Sequence, residues 1–145
     1  MNADEYLASG QAASDVEELD GAVPWVTYLS GSIMGVRCER VRYPDGSPLD
    51  VYVQPDDAGG FSVSDLGGAL RSRPRPFTRA LVEIRASDGR IAARVGIDGV
   101  IRAFLGTSAS IPYRDMPRAA LQVLRCAYRV AHHDRLPRQA AAKVG

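Results

Sequence analysis

Lysine is all but missing from this chain: Lys143 is the only one among 18 basic residues, and the rest are arginine. Cysteine is scarce as well, with two in 145 residues. Cys38 and Cys126 stand far apart and outside any CxxC spacing, so two reduced, buried thiols are expected and no disulfide framework. No apolar run approaches the ~20 residues that a membrane-crossing helix needs, which argues against a membrane partner. The first ten residues, MNADEYLASG, are acidic and lack the basic-then-apolar order of a signal peptide, so the expected location is the cytoplasm. The glycine pairs Gly59-Gly60 and Gly67-Gly68 fit neither GxxxxGK(S/T) nor GxGxxG, so nucleotide binding by those loops has no support. Aromatic residues make up 7% of the chain and are not interleaved with the arginines. That argues against a dedicated reader of stacked single-stranded bases.

What is present fits one domain. A chain of 145 residues can bury roughly 70% of its unfolded surface, enough for a core without a metal or a disulfide. Its 46% hydrophobic and 24% charged residues are ordinary for a soluble globular protein. The net charge of +1 conceals a split. Residues 1–20 carry six acids and no base, and residues 21–70 carry three arginines against six acids. Residues 71–145 carry fourteen arginines and one lysine against five acids. Such a chain can turn its basic half toward phosphate or an acidic partner, or neutralise itself across its own fold. Guanidinium, planar and bidentate, suits the first use. A GC-rich genome would also replace Lys by Arg with no functional cause.

The pattern of residues predicts an α+β domain over residues 14–136, with flexible ends at 1–13 and 137–145. Ser14-Asp15-Val16-Glu17 has capping-box spacing and marks a first helix. Pro24 suits the first turn of a second helical segment, Trp25 to Ser30. Strands are predicted from Val36 to Tyr43, from Leu49 to Val53 by strict alternation, from Phe61 to an end at Ser64-Asp65, and from Val100 to Leu105. Gly67 and Gly68 permit a turn into a short helix through Leu70 and Arg71. Residues 71–77, RSRPRPF, read as an extended linker. Residues 78–95 fit two periods. Ala80, Val82 and Ile84 alternate like a strand, with Ser87-Asp88-Gly89 able to close a hairpin. Leu81, Ile84, Ala92 and Val95 also share a helical face, and that reading, a middle helix broken near Gly89, is the favoured one. Asp115 to His133 is an amphipathic helix. Its apolar arc holds Ala119, Ala120, Val123, Leu124, Ala127, Val130 and Ala131, and its polar face holds Arg118, Gln122, Arg125, Arg129, His132 and His133. The sum is a small, mainly antiparallel sheet backed by helices.

Pro44-Asp45-Gly46, the strand at Leu49–Val53 and Ser64-Asp65-Leu66-Gly67 together resemble an uncharacterised prokaryotic domain family met in bacterial genomes, phages and mobile elements. Gly96-Ile97-Asp98-Gly99-Val100 is similar to a later step of that family, ahead of its long C-terminal helix. The likeness spans residues 35–133, with its motif residues, Asp45, Gly46, Ser64, Asp65 and Gly67, in the first third. Leu66 stands where the family usually has a second acid, and Pro44 sits directly against Asp-Gly. The resemblance implies phage or mobile-element biology and host conflict, and assigns no chemistry.

The candidate working surfaces are basic: Arg71, Arg73, Arg75 and Arg79 in and beyond the linker, and Arg118, Arg125 and Arg129 on the last helix. On one side of the molecule they would meet about six phosphates, enough for steeply salt-dependent binding. The expected function is therefore a non-enzymatic binding protein acting on a nucleic acid or nucleoprotein, with inhibition of a host defence complex as its setting. A protein partner is the alternative, met by either the basic half or acidic residues 4–20 acting as a DNA mimic. A metal-dependent hydrolase would use Asp65 with Asp45, Asp50, Asp56 and Asp57, although Asp in a glycine turn usually caps the backbone. An assembly module would pair its apolar helix edge with a second copy. His132-His133-Asp134 reads as solvated or helix-end-capping histidines, since adjacent histidines chelate poorly. No catalytic residue, metal ligand or cofactor is assigned.

Overall fold

The computed structural model of the chain describes residues 3–12, 14–15, 25–73 and 77–133. Helix α1 (Ala3–Ala8) precedes strands β1 (Trp25–Ser30), β2 (Ile33–Arg42), β3 (Pro48–Pro55) and β4 (Phe61–Ser64). Two short helices follow, α2 (Gly68–Arg71) and α3 (Arg79–Val82), and then β5 (Arg85–Asp88), β6 (Ile91–Val95) and β7 (Ile101–Leu105). A 3-10 turn at Tyr113–Asp115 leads into α4 (Met116–Ala131). The seven strands make one sheet in the order β1-β2-β3-β4-β7-β6-β5, and every neighbouring pair is antiparallel. The architecture is α+β, as the residue pattern predicts. It is two meanders, β1–β4 and β5–β7, sewn together where β4 meets β7. No helix among the described residues is long and apolar enough to cross a membrane.

Alternation decides which face is buried. Met34 and Val36 of β2, Leu49, Val51 and Val53 of β3, Phe61 and Val63 of β4, Ile101 and Ala103 of β7, and Ile91, Ala93 and Val95 of β6 are all buried. Helix α4 lies across this face from β2 to β5. Its seven arc residues are buried as the 3.6-residue period demands. The arc is wider than the sequence suggests: Gln122, expected on the polar face, sits at the arc's margin and is 0% exposed. Its amide finds no hydrogen-bond partner among the described residues. A buried amide left unpaired costs about 1–3 kcal/mol, so Gln122→Leu is expected to stabilise the protein by roughly 1 kcal/mol. Urea denaturation of the two proteins, with unchanged m-value, checks this.

Three segments differ from the sequence reading. Trp25–Ser30 is a strand, not a helix, paired residue by residue with Ile33–Cys38. Its β-branched and aromatic run suits a pleated surface better than Pro24 suits a helix start. Residues 78–95 contain only the single turn of α3; the rest is the β5–β6 hairpin, with Gly89 at φ 61° in its turn. Burial of alternate residues Ile91, Ala93 and Val95 overrides the helical face. Residues 3–8, expected to be frayed, form α1, and Tyr6 packs between Phe61 and Tyr113 with ring centroids 5.9 and 5.3 Å away. Ser14 and Asp15 are helical, but Val16 and Glu17 of the capping box lie outside the described residues, as do Arg75 and everything after His133.

Candidate functional site

The Ser64–Gly68 corner is held by Asp65. This carboxylate is 1% exposed and accepts three backbone N–H groups: Gly67 at 2.8 Å and Ile101 at 3.0 Å on Oδ1, and Ala69 at 3.1 Å on Oδ2. Its own N–H donates to the Ile101 carbonyl at 3.1 Å. Asp65 thus ties the turn and the start of α2 to β7, next to the single residue pair, Ser64 with Arg102, that joins the two meanders. Burial pushes its carboxyl above the usual carboxylate range, with the three N–H groups and the Arg71 charge pulling the other way. Three of the other four acids of the hydrolase reading are also engaged. Asp45 accepts from Ser47 and Asp56 from Ala58 and Gly60, while Asp50 is held by Arg37 and Tyr28. Among the described residues no three His, Cys, Asp or Glu side chains are grouped so as to hold a metal ion. Cys126 is buried, its thiol pushed up to about 12 by that burial, and it faces the Ile84 carbonyl.

Leu66 adopts a left-handed backbone at φ 50°, followed by Gly67 at φ 80°. Two consecutive left-handed residues suit Asn, Asp or Gly, and a leucine there is strained by about 1 kcal/mol. Leu66→Asn is therefore expected to raise stability by roughly 0.5–1 kcal/mol, visible as a higher melting temperature.

Several of the described basic residues singled out from the sequence are engaged within the fold itself. Arg73 is buried and its Nη1 donates to the Val130 carbonyl, so it caps the C-terminal end of α4 where a cation is favoured. Arg71 is exposed and turns back on the Leu66 carbonyl. Arg129 donates to the Arg85 carbonyl at 2.9 Å, fastening α4 to the edge strand β5. Arg79, Arg118 and Arg125 are exposed. His132 donates from Nε2 to the Arg42 carbonyl at 3.0 Å, tying the end of α4 to the end of β2 rather than capping the helix, and its ring centre lies 4.5 Å from that of Tyr128 at a tilt of 42°.

A different surface emerges from the pairing. Residues directly opposite in an antiparallel sheet share a face. Stepping across the strands, one row runs Tyr28, Gly35, Tyr52, Ser64, Arg102, Arg94, Arg85. It lies on the face turned away from α4. The neighbouring rows on that face add Arg37 and Asp50, Gln54 and Ser62, and Phe104 and Ala92. Arg85 and Arg94 are exposed, and Tyr28 is 36% exposed. The Arg94 guanidinium carbon lies 4.2 Å from the centre of the Phe104 ring. Arg102 makes a bidentate pair with Asp98 at 3.1 and 2.7 Å, which draws the Asp98 carboxyl down to about 2. Arg37 grips Asp50 at 2.7 and 3.0 Å, and the Tyr28 hydroxyl donates to the same carboxylate at 2.8 Å. Gly35 is required beneath Tyr28: a Cβ there would stand 2.0 Å from the ring's Cζ.

This surface was hidden in the sequence because Arg85, Arg94 and Arg102 lie on three strands. The signal that could have found it is the alternation of Ile91, Ala93 and Val95 with Ala92 and Arg94, which puts Arg94 opposite the core. Scans against protein-family models, curated proteins and solved structures each give no match for the chain.

Proposed function

We propose that the protein is a non-enzymatic nucleic-acid-binding protein and that its contact surface is the open face of the sheet. One observation carries this reading: Arg94 lies directly between Arg102 and Arg85 in the cross-strand row. Like charges directly opposite on neighbouring strands destabilise a sheet. Of these three, only Arg102 has a carboxylate partner among the described residues. A polyanion laid across the row would offset that repulsion, and guanidinium is the group best shaped for its phosphates. The hydrolase alternative is weakened because both Asp65 oxygens are already taken by backbone N–H groups. The phage or mobile-element setting suggested by the motif resemblance fits this chemistry, with a host defence nucleoprotein as the target it would imply.

The test is fluorescence anisotropy of labelled oligonucleotides between ~50 and ~200 mM salt, where phosphate-driven binding must weaken steeply. Reversing Arg85 and Arg94 together to Glu should cut affinity by about tenfold or more. Arg118→Glu with Arg125→Glu, on the far side of the molecule, should change it by no more than about twofold. Loss of binding in the α4 pair alone would move the surface to the helix, and no binding at the lowest salt would refute nucleic acid as the partner.

A further inference from the structure

We infer that the nucleic acid taken by this face is single-stranded, with bases stacked on two flat stations flanking a polar trough; the inference rests on the nucleic-acid reading above. The first station is the Tyr28–Tyr52 end. Tyr28 and Tyr52 are the partners of Gly35 on either side, and the Tyr28 ring lies over that glycine. Its hydroxyl is committed to Asp50, so the ring is fixed by a bond at its far end and by the backbone beneath it. The Arg37 guanidinium carbon stands 5.8 Å from the ring centre, so an aromatic ring locked against the sheet in this way offers a base a stacking edge beside a cation, with little rotamer entropy left to lose.

The second station is Phe104 with the Arg94 guanidinium stacked on it. A guanidinium plane resting on a ring extends the stacking surface and adds a positive charge beside it. Between the stations runs β4, which contributes only small residues to this face, Ser62 and Ser64. Tyr52 on β3 lies two strands from Phe104 on β7, about 10 Å, and Tyr28 on β1 lies four strands away, about 19 Å, so one strand a few nucleotides long could reach both stations. A duplex cannot use such a surface, because its base faces are already stacked on one another. The low aromatic content of the chain is thus not spread thinly: strands remote in sequence bring three of its rings to one face.

The experiment compares a labelled single-stranded 12-mer, as DNA and as RNA, with the same sequence closed into a hairpin duplex. Wild-type protein should prefer the single strands by about tenfold or more, and Phe104→Leu and Tyr52→Leu should each weaken single-strand binding by on the order of tenfold. A 2-aminopurine base in the oligonucleotide should change its emission on binding to the unaltered protein, a readout of stacking that needs no variant. Equal affinity for hairpin and single strand, with both leucine variants unchanged, would overturn the inference and leave the nucleic-acid reading standing. Failure of all three probes to bind would remove both. A preference between the DNA and RNA arms identifies which single strand is the ligand.

Discussion

Asp65→Ala should destabilise the protein by on the order of 3 kcal/mol, a large share of the stability of a domain this size. Three buried backbone donors lose their acceptor at once, and each orphaned N–H costs about 1–3 kcal/mol. Part of that is returned because the variant no longer buries a carboxylate. The loss falls at the weakest seam of the sheet, where one residue pair and the Asp65–Ile101 bonds join the two meanders. The cost should also depend on pH in a definite direction. Burial raises the Asp65 carboxyl above its unfolded value, so the folded state holds its proton more tightly. Its contribution is complete below about pH 4 and declines as pH rises through the folded value. The gap between wild type and Asp65→Ala, followed by urea denaturation across that range, should therefore narrow as pH rises. A gap that widens with pH would mean that the N–H groups outweigh burial. A variant as stable as wild type would mean that the corner does not need its staple.

The parts of this fold that were legible in the sequence are those whose pattern is local. Leu49, Val51 and Val53 alternate without interruption, and the arc from Ala119 to Ala131 keeps one period for three turns. Each needs no partner to be recognised. Residues 78–95 failed because the same side chains satisfy two periods, and only the pairing of Ala93 with both Ala86 and Ala103 selects one. Tyr6 is buried by Phe61 and Tyr113, neighbours that no window around α1 contains. The candidate site suffered most from this. Arg73 reads as a linker arginine until the end of α4 is placed beside it, and Arg94 reads as one basic residue among many until β6 is set between two strands that also present arginine. Asp65 is the counterexample: its capping role followed from a Ser-Asp-x-Gly turn alone.

Replacing Arg94 by Thr, together with Arg85 by Thr, should make the protein more stable while costing it most of its affinity for nucleic acid. Each threonine is a good strand former and removes one of three adjacent like charges, which relieves on the order of 0.2–1 kcal/mol per opposed pair. The Arg94 stack on Phe104 offsets some of this, by about 0.5–1 kcal/mol at an exposed site. A net rise in stability, of a few tenths to about 1 kcal/mol, is expected by thermal and urea denaturation. Affinity for oligonucleotides should fall by about tenfold, and the slope of log K against log salt should become shallower by roughly 0.7 for each single-strand phosphate that arginine no longer neutralises. The complementary variant is Asp98→Asn, which frees the Arg102 guanidinium from its bidentate pair. It should tighten binding and steepen the salt slope by the same increment. Opposite movement of stability and affinity in the threonine protein, joined to tighter binding by the asparagine protein, is what a binding surface built at the expense of the sheet requires. A purely structural row would show both quantities moving together, or neither.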